Sequence, residues 1–176
     1  AVHRLMERFG RGGGFRLIPR QISAVGMNGV CNFGTFAENA DEIWLISDRR
    51  GIAGDFLGMM IKEAGSLGLE THISRDHLLE PDALYFPEKR IAVVSDCDAG
   101  KAARIINTDR FINGAGLSEH RAALRFLKKL ENELFSRALS LFGEIRTCHF
   151  AVEDIYRGAM DFGGLEPVFE QITAGL

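Results

Sequence analysis

Four short apolar runs separated by polar stretches fill the first hundred residues, and a long helical stripe follows them. Ile43-Trp44-Leu45-Ile46 is continuous enough for a strand buried on both faces. Ser47 to Gly54 is polar and glycine-containing. Phe56, Leu57, Met60, Ile61 and Ala64 then recur at helical spacing, predicting a helix over about 52–64. Gly65 and Gly68 mark its end. Leu69 to Ile73 alternates as a second strand, Ala83-Leu84-Tyr85-Phe86 is a third, and Ile91-Ala92-Val93-Val94 a fourth. Phe15 to Ile18 reads as a short edge strand closed by Pro19, and Asn28-Gly29 as a turn. Phe33 and Phe36 have helical spacing. Strands alternating with helical stretches imply an α/β fold with a mainly parallel sheet, the strand at 91–95 lying beside the one at 43–47.

From Ser118 the pattern changes. Ser118 reads as an N-cap with Glu119 in the first turn, and Ala123, Leu127, Leu130, Leu134, Ala138 and Leu141 form one stripe, with a stop at Phe142-Gly143. A second helix carries Val152, Ile155, Tyr156, Ala159 and Met160 on one face. Gly163-Gly164 breaks it and a third helix begins near Pro167. Both stripes predict burial, against each other or against the sheet. The chain therefore divides into a flexible, basic, glycine-rich leading segment at 1–28, an α/β core at 29–117, and C-terminal helices at 118–176 packed on that core.

Composition narrows the partners. With 176 residues and 46% hydrophobic content, the chain is long enough for one real core. A net charge of −3 argues against nucleic acid as a partner. The balance is uneven: residues 1–25 hold five arginines against Glu7 alone, a surplus of four, which leaves −7 for the remainder. No apolar run approaches the ~18 residues of a membrane span, so no membrane partner is expected. Cys31, Cys97 and Cys148 are odd in number and lie far apart, which fits reduced thiols in the cytoplasm. The chain begins at Ala1 rather than Met, which points to a processed product or a piece of a longer chain.

The candidate chemistry sits at strand ends. A turn between a buried strand and a helix is where α/β proteins hold phosphate, because the helix N-terminus offers free N–H groups and partial positive charge. A phosphate loop of the G-x-x-x-x-G-K-[ST] kind also needs a lysine for the phosphates and a hydroxyl for magnesium. Here those places are taken by Gly54 and Asp55. Asp48 and Asp55 flank the turn, and Asp55 reads as a cap standing in for a ligand; both repel a nucleotide phosphate unless a divalent metal bridges them. Arg49 and Arg50 either restore anion affinity or are ordinary exposed turn residues. Gly10-Arg11-Gly12-Gly13-Gly14 is either a second anion cradle or a mobile segment.

Asp96 and Asp98 follow the fourth strand, the position from which P-loop enzymes hold magnesium, and are the metal candidates. Their D-x-D spacing also resembles the acid pair of haloacid-dehalogenase-type phosphatases; a solvated loop is the plain alternative. His149 and Glu153, four apart, read as a helix-stabilising pair, and His72 and His77 have no nucleophile to serve.

Taken together, the stretches resemble a family of bacterial, largely Firmicutes, P-loop ATPases of unassigned role, whose longer chains often hold two tandem NTPase-like domains. The resemblance runs from about Gly29 to Phe162. It rests on Gly29-Val30-Cys31-Asn32-Phe33 before Ile43-Trp44-Leu45-Ile46 and the turn and helix that follow. It rests also on Asp82-Ala83-Leu84-Tyr85-Phe86-Pro87-Glu88 leading into Ile91-Ala92-Val93-Val94, and on His149 to Phe162 with Glu153, Tyr156 and Met160-Asp161-Phe162. It implies a sheet of P-loop NTPase type, ATP and magnesium as ligands, and a second NTPase-like domain as partner on the same or another chain. The family's loop resembles G-x-P-G-T-G-K-S. Gly51 matches a glycine, but Asp48, Ala53, Gly54 and Asp55 replace the first glycine, the third glycine, the lysine and the serine. ATP hydrolysis is therefore not carried over, and the expectation is a non-hydrolysing domain that scaffolds or regulates a competent one. The alternatives are a weak nucleotide or phosphate binder using Arg49 and Arg50, and a metal-dependent phosphatase using Asp96 and Asp98.

Overall fold

A computed structural model describes residues 2–95, 99–112 and 114–174. The chain divides into two compact units, Ala1–Val25 with Val30–Leu130, and Gly26–Gly29 with Glu131–Leu176.

From the start of the chain the elements run α1 (Val2–Met6), β1 (Arg16–Pro19), β2 (Ser23–Gly26), β3 (Gly29–Asn32), α2 (Thr35–Glu38) and β4 (Glu42–Ser47). They continue through α3 (Ala53–Leu67), β5 (Glu70–Arg75), β6 (Pro81–Phe86), β7 (Ile91–Val94) and β8 (Arg104–Asn107). β2 and β3 form a hairpin. The other six strands form one sheet in the order β1-β5-β6-β7-β4-β8. β1–β5, β7–β4 and β4–β8 pair in parallel; β5–β6 and β6–β7 pair antiparallel. Only β6 runs against the rest, so the sheet is mostly parallel, as the pattern implied. The exception follows from loop length: a few residues join β6 to β5 and to β7, and only an antiparallel pair can be closed so tightly. β7 does lie beside β4, with Trp44 opposite Val93 and Leu45 opposite Val94.

Alternation along the strands makes two cores. On one face Trp44, Ile46, Leu84, Phe86 and Val93 pack with Phe56, Leu57, Met60 and Ala64 of α3 and with Val2, Met6 and Phe9. The opposite face carries a smaller cluster of Ile22, Phe36, Ala83, Ala92 and Val94. The basic leading stretch thus contributes core residues. Its glycines also serve a structural end. The Gly12 and Gly14 N–H groups donate to the carbonyls of Leu67 (2.9 Å) and Gly68 (2.9 Å), clasping the C-terminus of α3. A Cβ on Gly12 would stand 2.3 Å from the Gly68 oxygen, which only glycine avoids. Those two N–H groups are engaged on the helix end, and the Gly13 N–H donates to Glu88 Oε1 at 3.4 Å. Gly68 caps α3 in the left-handed conformation at φ 69°, and Leu69 N–H closes on the Ala64 carbonyl at 2.9 Å.

Two helices, α4 (Gly114–Arg157) and α5 (Phe162–Thr173), complete the chain. Four features of these helices differ from the sequence pattern. α4 begins at Gly114, four residues before Ser118, and passes straight through Phe142-Gly143. An interior glycine costs only about 1 kcal/mol against alanine, too little to stop a helix of strong formers on both sides. The break falls at residues 158–161, and Gly163-Gly164 belong to the first turn of α5, where Asp161 Oδ1 accepts the Gly164 N–H at 3.0 Å. Pro167 lies inside α5 rather than at its start. Described by itself, the second unit has no buried residue in these helices; Leu134 is 63% exposed and Ile155 76%. The stripes predicted from the sequence are present as faces, and their leucines are exposed in this chain.

Candidate functional site

The turn after β4 is built around one carboxylate. β4 delivers Ser47 and Asp48 to the carboxyl edge of the sheet, and β8 runs parallel beside it, bringing Thr108 and Asp109 alongside. Asp48 Oδ1 accepts the N–H groups of Arg50 (2.9 Å) and Gly51 (3.2 Å), and Oδ2 accepts that of Ala53 (2.7 Å), the first residue of α3. The Thr108 hydroxyl donates to Oδ1 at 3.0 Å and also reaches the Ser47 carbonyl at 3.3 Å. Gly51 takes φ +77°, the left-handed turn that lets successive N–H groups converge. The donors that a phosphate loop turns on its ligand are here turned on the chain's own carboxylate.

Electrostatics agree with the geometry. Partial burial alone would raise the Asp48 pKa. The backbone N–H groups of Arg50 and Ala53, the Thr108 hydroxyl and the Gly51 N–H outweigh it and hold the carboxyl below its ordinary value. Asp48 is therefore an anion at neutral pH, and the N–H groups at the N-terminus of α3 already have their negative charge.

Of the other predicted residues, Arg50 and Gly51 join this centre through their backbone N–H groups, and the side chains of the rest surround it. Asp55 is exposed in the first turn of α3; the cap expected of it is supplied by Asp48, because only a side chain arriving from the strand end can reach the Ala53 N–H. Arg50 Nε donates to Asp109 Oδ1 at 2.9 Å, so its charge is engaged across the turn. Arg49 is exposed. At Gly54, expected from the sequence to stand in a phosphate loop's lysine place, a Cβ would lie 3.3 Å from Glu80 Oε2, so a longer side chain meets a carboxylate first. Phe111 stacks on Phe56 at 5.5 Å, fixing the segment after β8 against α3.

Asp96 and Asp98, the metal candidates, lie outside the described residues. Among the described residues no three His, Cys, Asp or Glu side chains gather as metal ligands. His149 and Glu153 form the helical pair expected, at 3.0 Å. His72 bonds Glu70 Oε1 at 3.1 Å and packs with Phe36 and Tyr85 on the second face of the sheet. Among the described residues no helix is long and apolar enough to cross a membrane.

Thr108 and Asp109 were missed by sequence reading, along with β8 itself. The signal was slight: Ile105-Ile106 is a two-residue β-branched core between polar neighbours, shorter than the apolar runs that mark the other strands. A comparison of the chain with family models, curated proteins and solved structures finds no match.

Proposed function

We propose that this chain is a P-loop-NTPase-like domain whose phosphate loop is degenerate, a non-hydrolysing half that scaffolds or regulates a competent NTPase-like domain on the same or another chain. The observation that supports the reading is the Asp48 carboxylate held by the Arg50, Gly51 and Ala53 N–H groups. A β-phosphate needs those donors, and needs besides them a lysine cation and a hydroxyl on magnesium. The turn has its anion already, Gly54 brings no cation, and Asp55 adds negative charge. The strand–turn–helix of β4 and α3, with β7 parallel beside β4, is the arrangement such a loop requires.

Calorimetric titration with Mg-ATP tests it. The expected result is no micromolar binding and no hydrolysis by the unaltered chain. Micromolar binding that Arg49→Ala with Arg50→Ala abolishes would overturn the proposal in favour of a weak nucleotide binder. Phosphate release from a small phosphoester, lost in Asp96→Asn, would replace it with the metal-dependent phosphatase.

A further inference from the structure

A cavity among the described residues of the first unit lies away from the turn. It lies on the opposite face of the sheet from α3, a cleft of about 330 Å³ with Ile22, Ile43 and Val94 on its apolar floor and Asp82, Glu38 and Lys101 among its polar groups. That volume falls at the lower end of the range for small-molecule sites, and an apolar floor with a few convergent polar groups is their usual make-up. The position is also one where open α/β sheets hold ligands, beside the carboxyl end of β7.

Asp82 distinguishes the cleft from an ordinary surface hollow. Its Oδ2 accepts the Ser23 hydroxyl at 3.1 Å, while Oδ1 is closed off from solvent and has no hydrogen-bond partner. The backbone around it is well tied: its carbonyl accepts both the N–H and the hydroxyl of Ser95, at 3.2 and 3.0 Å. A carboxylate oxygen deprived of both water and a donor is costly, and a charged N–H donor is the group that relieves it best. The Asp82 carboxylate lines the cleft with the Ser23 hydroxyl on Oδ2, which leaves it acceptor capacity for an incoming donor. Asp82 and Glu38 therefore call for a cation, and Lys101, a third charged group of the lining, calls for an anion.

We infer that the cleft binds a small zwitterion of the amino-acid class. Its ammonium group goes to Asp82 and Glu38, its carboxylate to Lys101, and its short apolar body to the floor of Ile22, Ile43 and Val94. The site is separate from the turn after β4 and does not depend on how that turn is read.

Free L-leucine is the probe, followed by amide and methyl chemical shifts of the unaltered chain. 3-Methylbutylamine, which lacks the carboxylate, and 4-methylpentanoate, which lacks the ammonium, are the controls. The expected result is saturable shifts at Ala83 and Val94 with leucine, weaker binding of the amine, and none of the acid. Asp82→Asn, nearly isosteric, weakens leucine roughly tenfold or more, since it removes a charge-assisted bond. Lys101→Ala, at an exposed position, weakens leucine but leaves the amine unchanged. No saturable shift with leucine up to about 10 mM, which corresponds to under 3 kcal/mol of affinity, overturns the inference. So does leucine binding that a folded Asp82→Asn leaves intact, or, should that variant not fold, binding that Lys101→Ala leaves intact.

Discussion

Two aspartates at the same edge of the sheet are treated in opposite ways. Asp48 has both oxygens filled, by three backbone N–H groups and one hydroxyl. Asp82 has one oxygen on Ser23 and the other without a partner. In the first case the fold has turned its convergent N–H groups on its own side chain, and those donors are engaged. In the second the fold has left a polar group incomplete beside an open cleft. A residue type alone does not distinguish a structural anion from a ligand-seeking one; the count of donors around it does.

That contrast can be broken by experiment, and the largest effect is expected at the turn. Asp48→Ala leaves three N–H groups without their acceptor, with the Thr108 hydroxyl still able to turn to the Ser47 carbonyl, and should cost about 2–4 kcal/mol in urea denaturation. Asp82→Ala removes one hydrogen bond and also relieves one unsatisfied oxygen, so it should change stability by no more than about 1 kcal/mol. Equal losses at the two positions would mean that the donor count is the wrong explanation.

Acidification sharpens the same comparison. Asp48 titrates below its ordinary value in the folded chain, so its contribution is fully present above the unfolded carboxyl pKa, near ~3.9, and is lost as pH falls through that value toward the lower folded one. The stability advantage of the unaltered chain over Asp48→Asn should therefore be flat at neutral pH and shrink below about pH 4. An advantage that grew on acidification would contradict the direction of the shift.

The smallest effect is expected at the rim of the turn. The Arg50–Asp109 pair is partly exposed, at 44% and 28% of the two side chains. Asp109→Ala should cost under about 1 kcal/mol and less at high salt. A larger, salt-insensitive loss would show that the β8 segment holds the turn through this pair rather than through Thr108.

Much of the first unit was legible in the sequence because its signals are local. Period-two and continuous apolar runs located β4 to β7, and the spacing from Phe56 to Ala64 located α3, whose face is buried as predicted. Gly68 ended that helix because the left-handed cap there favours glycine. That Gly54 and Asp55 bring neither a lysine nor a hydroxyl to the turn was equally plain, since it is a matter of residue identity.

What the sequence could not determine was partnership. The same helical periodicity describes α3, whose Leu57 is fully buried, and α4, whose Leu134 is exposed, because a stripe names a face and not its cover. The arrival of Thr108 from β8, 60 positions after Asp48, depends on distant residues meeting at one sheet edge, and neither the direction of β6 nor the reach of Asp48 to the Ala53 N–H is written in the apolar pattern. Hydrogen bonds act over about 3 Å of space and carry no record of sequence separation, so only the tertiary structure could assign them.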